Sequence, residues 1–545
     1  MSQMMKIPGT THNQHHFSQV PAADIPRAQF DRSNGWKNTF NGGDLVPCFV
    51  DEVLPGDTFN LKMTAFCRLA TLLTPFMDNL YMDTFFFFVP NRLTWNNWEK
   101  FNGAQDNPGD STSFVIPQCV SPVGGYAVGS VFDCMGLPTA PLPDVTRTIT
   151  HSALPLRGHN LIQNTWFRDQ NLQNSKVVNK GDGPDLYTDY GIYKRGKRHD
   201  YFTSALPWPQ KGPAVALPLT GNAPVLGISI LNNQPAAVSP TAGTGVIASA
   251  DTTTSTIGWN AAGNQGILFR SQTTGNPNAA TNRPQIYADL SSVNAATINQ
   301  LRQSFQIQKL YERDARGGTR YTEIIQAHFG VVSDDARLQR PEYLGGGTTN
   351  LVINPIAQTS AVPSQPTPAA TLTAIGTASV HGHGFTKSFT EHGHIIGYIN
   401  VRADLNYQQG LDKMWSRSTR FDFYWPALSH IGEQAILNKE IYAGTTASDD
   451  LVFGYQERFA EYRYKPSKIC GQFRSTFATT IDIWHLAEKF TSLPTLGDTF
   501  IQSNPPISRV IAVPSAPQFL CDAFFKLRCA RPMPVYSVPG LIDHF

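Results

Sequence analysis

Leu80-Tyr-Met-Asp-Thr-Phe-Phe-Phe-Phe-Val-Pro90 is the stretch that decides the fold. Four consecutive phenylalanines, Phe85 to Phe88, are followed by Val89, so a strand here is apolar on both sides. Side chains alternate along a strand, which puts Phe85 and Phe87 on one face and Phe86 and Phe88 on the other. A strand buried on both faces lies between two layers, inside a sandwich or against another subunit. Pro90 offers no N–H to the ladder and stops it. Beyond it, Thr94 is placed to cap a short helix, with Leu93 and Trp98 at staple spacing. This corner is built for packing and holds no reactive group.

On the N-terminal side, Leu45-Val-Pro-Cys-Phe-Val50, a Leu54-Pro-Gly-Asp57 turn and Phe59 to Phe66 continue the β pattern. Phe59, Leu61 and Met63 alternate with Asn60, Lys62 and Thr64, the mark of a half-buried strand. Residues 1–40 are polar, with His12, His15 and His16, and read as an extended arm lying along a neighbour. Residues 41–211 read as the first part of a sandwich with long loops, among them the connection from Pro108 to Pro143 and a short helix over 164–172. From Gly212 to Asn282 only Asp251 and Arg270 are charged, so 212–293 reads as a compact, β-rich insertion. Residues 294–545 resume the sandwich. Ile298, Leu301 and Phe305 stand at helical spacing, and 344–378, with Gly345-Gly-Gly347 and Pro363, Pro366 and Pro368, reads as an inserted loop. Further strands are expected at 385–404, 420–425, 459–464, 473–483 and 523–530. No fixed period recurs, which excludes solenoids and propellers.

Charged residues make up only 15% of the chain, while 43 Gly, 39 Pro and 33 Phe suit an all-β protein rich in turns and inclined to associate. A formal net charge of +2 excludes a polycation. The seven cysteines are scattered without a C-x-x-C pair and read as reduced thiols of a cytosolic protein. No apolar leader and no run long enough to span a membrane is visible.

The chemical motifs are weak. His381 and His383 share a strand face, with Glu391 and His394 beyond them, but Glu391 lies too far along for a cupin metal site. Gly345-Gly-Gly347 lacks the Gly-Lys-Ser/Thr of a phosphate loop and reads as a loop permitting positive φ. No Gly-x-Ser-x-Gly elbow frames a nucleophile, so no catalytic, metal or cofactor residue is assigned. Lys194, Arg195, Lys197 and Arg198 stand beside Tyr201, Phe202 and Trp208. Cations next to aromatic platforms suit single-stranded nucleic acid, so Lys194, Arg195, Lys197, Arg198 and Trp208 form the candidate binding set. The bland alternative is a solvated turn, or a patch facing another subunit's carboxylates. Arg458, Arg463, Lys465 and Lys468 form a second, weaker cluster read first as strand.

Phe85-Phe-Phe-Phe-Val-Pro-Asn-Arg-Leu-Thr-Trp-Asn-Asn-Trp98 resembles a signature of the major capsid proteins of the Microviridae, gokushovirus type. Trp166-Phe-Arg-Asp-Gln-Asn171, the block 197–211, Arg316-Gly-Gly-Thr-Arg-Tyr-Thr-Glu323, the block 340–347, Val401-Arg-Ala-Asp-Leu-Asn-Tyr-Gln-Gln-Gly410 and the block 453–466 are similar to the same family, in order. The resemblance implies an eight-stranded antiparallel jelly roll with large loop insertions and a few short helices. It implies sixty copies in a T=1 icosahedral virion, assembled in the bacterial cytoplasm around a circular ssDNA genome. It implies a small basic DNA-binding protein, an internal scaffolding protein and a DNA pilot protein as partners. The charge-poor insertion is the segment suited to a threefold protrusion facing a host-cell receptor. The alternative is a jelly-roll carbohydrate-binding protein or enzyme, for which a secretion signal would be expected.

Overall fold

The computed structural model describes residues 26–215, 298–332, 339–359 and 369–536, together with six strands of two or three residues between 225 and 288. The chain divides into two units, Met1–Pro209 with Gly317–Phe545, and Gln210–Arg316.

The first unit is an antiparallel sandwich. Its strands are β1 (Ala28–Asp31), β2 (Asn34–Phe40), β3 (Asp44–Val53), β4 (Thr58–Leu69), β5 (Leu80–Pro90), β6 (Tyr193–Lys194), β7 (Glu342–Asn350), β8 (Val352–Ala357), β9 (Leu372–Ser388), β10 (Gly393–Ala403) and β11 (Phe519–Arg531). One sheet runs β1-β11-β4-β9-β8, with β2 also on β11; the other runs β7-β5-β10-β3-β6. Against the eight strands implied by the resemblance, the sheets hold six and five among the described residues. Residues 28–40, expected within the extended arm, instead form β1 and β2, which share one edge and pair with opposite ends of β11.

The alternation read in the sequence becomes the core. Phe59, Leu61, Met63, Ala65, Cys67 and Leu69 of β4 are buried, as are Phe519, Cys521, Ala523, Phe525, Leu527 and Cys529 of β11. They meet Met82, Phe86 and Phe88 of β5 and Ile395, Ile399 and Val401 of β10 in one cluster between the sheets. Phe87 and Val89 are equally buried, on the other side of β5. Strand β5 is therefore apolar on both faces, as its sequence demands.

The structure departs from the sequence reading in several places. Residues 344–378 carry β7, β8 and the start of β9, where a loop was expected. The three glycines permit close approach, with no positive φ among them. A Cβ on Gly346 would lie 2.0 Å from the Thr84 carbonyl oxygen, and one on Gly347 would lie 2.6 Å from the His383 ring. The expected helix over 164–172 begins earlier, as α1 (Leu154–Ile162), and runs into one π-helical turn at Gln163–Phe167. Pro90 and Asn97, not Thr94, precede the two short helical turns after β5; the Thr94 hydroxyl bonds back to the Asn91 carbonyl. The expected strands at 420–425 and 459–464 each contain one 3₁₀ turn instead, and 473–483 runs between two, Gly471–Phe473 and Asp482–Trp484. Cys67 and Cys521, expected as free thiols, are bonded to each other: 454 residues apart in sequence, they face one another across β4 and β11. Cys48, Cys119, Cys134, Cys470 and Cys529 are free.

In the second unit, α2 (Ile298–Arg316) occupies the segment with helical spacing, and Ala315 is its one buried residue. Three short antiparallel strand pairs lie within 225–288. The remaining residues of 212–293 lie outside the described residues, apart from 212–215. After Arg316, α3 (Tyr321–Phe329) returns to the first unit. Among the described residues, no helix is long and apolar enough to cross a membrane.

Candidate nucleic-acid interface

Because β5 is apolar on both faces, its outer face needs a cover, and α1 with the π turn supplies it. The extra residue of a π turn rotates the side chains that follow, and here Trp166 and Phe167 pack against the strand. Phe167 lies 5.4 Å from Phe85 and 5.7 Å from Phe87, and Trp166 lies 5.5 Å from Phe87. The Trp166 indole N–H donates to the Pro341 carbonyl at 2.9 Å, fastening the turn to the start of β7. There Tyr343 pairs with Phe87 in register and stays 41% exposed. His159 of α1 ties the cover to β10. Its Nε2 can only donate to the Gly191 carbonyl (2.9 Å), so Nδ1 accepts from the Tyr398 hydroxyl (2.9 Å). Burial lowers the pKa of His159 to about 4 and keeps the ring neutral.

The segment 194–198 crosses the other end of this face, and each cation meets a carboxylate of its own chain. Lys194 pairs with Asp44 at 2.8 Å, Lys197 with Glu488 at 2.7 Å, Arg198 with Asp404 at 3.4 Å, and Arg195 with Asp83. Arg402 of β10 also reaches Asp83, at 3.0 Å, and the Thr348 hydroxyl donates to it at 2.6 Å. Burial pushes the Asp83 carboxyl up, but Thr348, Arg195 and Arg402 outweigh it and hold the group below the ordinary value. Burial, with Arg402 next, pushes the Arg195 guanidinium down to about 10. Arg195 also lies over the Phe85 ring at 4.5 Å, and Arg198 over Tyr81 at 3.9 Å.

Between the aromatic cover and these cations lies an open groove of about 480 Å³, lined by Phe85, Trp166, Tyr343, Arg195, Arg198 and Arg402 among others. Of the basic residues singled out in the sequence, Arg195, Lys197 and Arg198 therefore line a groove and Lys194 does not, and the aromatics expected beside them lie elsewhere. Tyr201 and Phe202 are 7% and 4% exposed and belong to a separate cluster with Tyr407 and Phe453. Trp208 is half-buried and does not line the groove. The aromatic wall comes from Phe85, Trp166, Phe167 and Tyr343, up to 258 positions apart in sequence and hidden from any local reading. In the second basic cluster, Arg463 pairs with Glu457 and Lys465 with Asp412 at 3.3 Å.

The histidine hairpin is absorbed by the sheets. His383 sits between the Thr84 and Thr349 hydroxyls (2.9 and 3.2 Å), His381 bonds Ser379, and Glu391 pairs with Arg92 at 2.7 Å. His394 is half-buried, and its desolvation lowers its pKa to about 4. No group of three or more ligating side chains placed to hold a metal occurs among the described residues.

A second cavity, of about 270 Å³, brings Glu440 and Glu461 near Tyr201, Tyr407, Tyr464 and Trp415, the combination a glycan-acting site would use. Both carboxylates are occupied. Glu440 accepts from the Tyr201 hydroxyl, Lys413 and the Leu437 N–H, and Glu461 accepts from Arg417 and Gln434. Neither is free to protonate a leaving group or activate water.

Residues 18–541 match the family described as capsid protein (F protein). The chain is 50% identical over 551 residues to the capsid protein VP1 of Bdellovibrio phage phiMH2K, covering 99% of this chain and 100% of that protein. It is 44% identical to the capsid protein VP1 of Chlamydia phage 1, over 99% and 100% of the two chains. Against the capsid protein VP1 of Spiroplasma virus 4 the identity is 34%, over 97% of each.

Proposed function

Since the chain belongs to the capsid protein (F protein) family, of the Microviridae gokushovirus type, and is a structural protein of a phage virion and not an enzyme, we propose that sixty copies close a T=1 shell around a circular ssDNA genome. The match over residues 18–541 carries this reading. The surface supports it. On the outer face of the first sheet, Phe66, Leu520 and Phe524 are each about half exposed on adjacent strands. Trp415, Phe421, Phe423, Tyr424 and Trp425 expose 42–69% of their surface within eleven residues. Monomeric proteins rarely carry apolar patches of this kind, and aromatic residues beside arginines are typical of subunit interfaces.

In this reading the insertion 212–293 forms a threefold protrusion that meets the host-cell receptor, and the arm on a neighbouring subunit is confined to the residues before 28, since 28–40 pair within this chain's own sheet. A net charge of +2 leaves most genome phosphates uncompensated, so a small basic DNA-binding protein shares the interior. An internal scaffolding protein and a DNA pilot protein complete the partners, with assembly in the host cytoplasm.

Purified native particles test this directly. They are expected to contain this chain as the main protein and nuclease-protected, circular, single-stranded DNA. Recovery of the chain only as a free monomer or small oligomer overturns the reading. Deleting 212–293 is expected to leave closed particles with altered attachment; particles that attach normally would remove the protrusion assignment.

A further inference from the structure

We propose that the groove over the outer face of β5 holds one nucleotide of single-stranded DNA, its base against the Trp166–Tyr343 wall and its phosphate beside Arg195 and Arg402. The proposal rests on the reading that this chain encloses such a genome, and it names where the strand is held.

Three observations carry it. The first is charge. Asp83 is the one carboxylate shared by Arg195 and Arg402, so the pair keeps one positive charge in excess. Lys197 and Arg198 bring their own acids, Glu488 and Asp404, and add none. The side chains of Arg195 and Arg402 are only 16% and 12% exposed. An excess charge held there is poorly screened by water, and a phosphate that reaches it is attracted more strongly than at an open surface. The buried Nε of Arg402 has no hydrogen-bond partner, leaving a donor unused.

The second observation is the wall. Tyr343 is exposed and lies 6.2 Å from Trp166, ring centre to ring centre, next to the guanidiniums. Aromatic rings beside a cationic track are the means by which proteins hold single strands without reading their sequence. The third is size. The groove, at about 480 Å³, is within the range of small-ligand sites, roughly 300–1,000 Å³. An isolated anion would use the arginines alone, and a neutral sugar would leave the excess charge unanswered. A nucleotide uses both halves. Lys194 and Lys197, by contrast, serve the fold through Asp44 and Glu488.

Ultraviolet crosslinking of native particles, followed by peptide mapping, is the test that needs no variant. Nucleotide adducts are expected on the peptides holding Trp166 and Tyr343. Adducts confined to other peptides overturn the proposal while leaving the capsid reading intact; native material without DNA-filled particles overturns the capsid reading itself. In parallel, oligothymidylate is titrated against the purified full-length chain. Tyr343→Ala is expected to weaken binding about tenfold and Tyr343→Phe to retain it, because stacking needs the ring and not the hydroxyl. Equal affinities for the two variants overturn the site. So does density for a carboxylate of a neighbouring subunit in the groove of assembled particles.

Discussion

The two faces of β5 meet very different surroundings, although they alternate residue by residue along the same eleven positions. Toward the second layer point Leu80, Met82, Phe86 and Phe88, each 5% exposed or less, in a cluster that draws on both sheets. The polar contact on that face is the Thr84 hydroxyl against His383. Away from it point Tyr81, Asp83, Phe85 and Phe87. Arg198 lies over Tyr81, Arg195 and Arg402 meet Asp83, and Arg195 also covers Phe85. The inner face is buried and close-packed, so its stability comes from shape and buried area. The outer face is assembled from ion pairs and rings of distant segments and stays partly open. One strand thus anchors the sandwich and floors a groove, and the two roles respond to different perturbations.

The largest effect belongs to the inner face. Phe86→Ala leaves a cavity between the sheets, and a loss of about 3–5 kcal/mol is expected, read as a lower unfolding midpoint of the full-length chain. A loss under about 1 kcal/mol would mean that this face is loosely packed, and the contrast would collapse. Asp83→Asn comes next. It leaves two buried guanidiniums without a counter-charge and is expected to cost about 3 kcal/mol. The same change doubles the excess charge in the groove, so oligothymidylate is expected to bind more tightly as the fold weakens. Weaker binding would separate the groove from the nucleic acid.

Acid sharpens the comparison further. The folded pKa of His159 is about 4, against an ordinary 6.5, because burial disfavours its charged form. Between those values the unfolded chain takes up a proton that the folded chain refuses, so stability falls as pH drops through the window. The expected slope is at most about 1.4 kcal/mol per pH unit for this residue. Unfolding midpoints followed from neutral pH down to about 4 should show it, and His159→Asn should reduce it, leaving the share of His394, whose pKa is also lowered to about 4. An unchanged slope in the variant would put the acid sensitivity elsewhere. The smallest stability effect is that of Tyr343→Ala at the exposed rim, about 1 kcal/mol or less, measured as the shift in thermal midpoint. A loss as large as that of Phe86→Ala would make the groove part of the core.

The inner face was legible because its signals are local. The run Phe85–Phe88 and the alternation of Phe59, Leu61 and Met63 each state a strand and its buried side within a few residues. The outer face was half legible. Lys194, Arg195, Lys197 and Arg198 were visible as cations, but their partners Asp44, Asp83, Glu488 and Asp404 lie up to 291 positions away. Tyr201 and Phe202 looked like stacking platforms because they are adjacent in sequence, yet they pack into another cluster. Strand β7 was missed for a different reason. Its glycines were read for the backbone angles they permit, whereas here they are used for the space they leave beside Thr84 and His383. The exposed aromatics from Phe421 to Trp425 resembled a strand by composition, but they belong to a stretch of 3₁₀ turns in which Tyr424 packs on the buried Phe459 at 5.2 Å.

The most direct test of the central claim, that this sandwich is the wall of a phage shell, is a cryo-electron microscopy reconstruction of particles from the native source. The account predicts closed icosahedral particles of sixty subunits, each built on the two-sheet sandwich with Phe86 and Phe88 between its layers. Native material in which the chain forms no closed shell would contradict it.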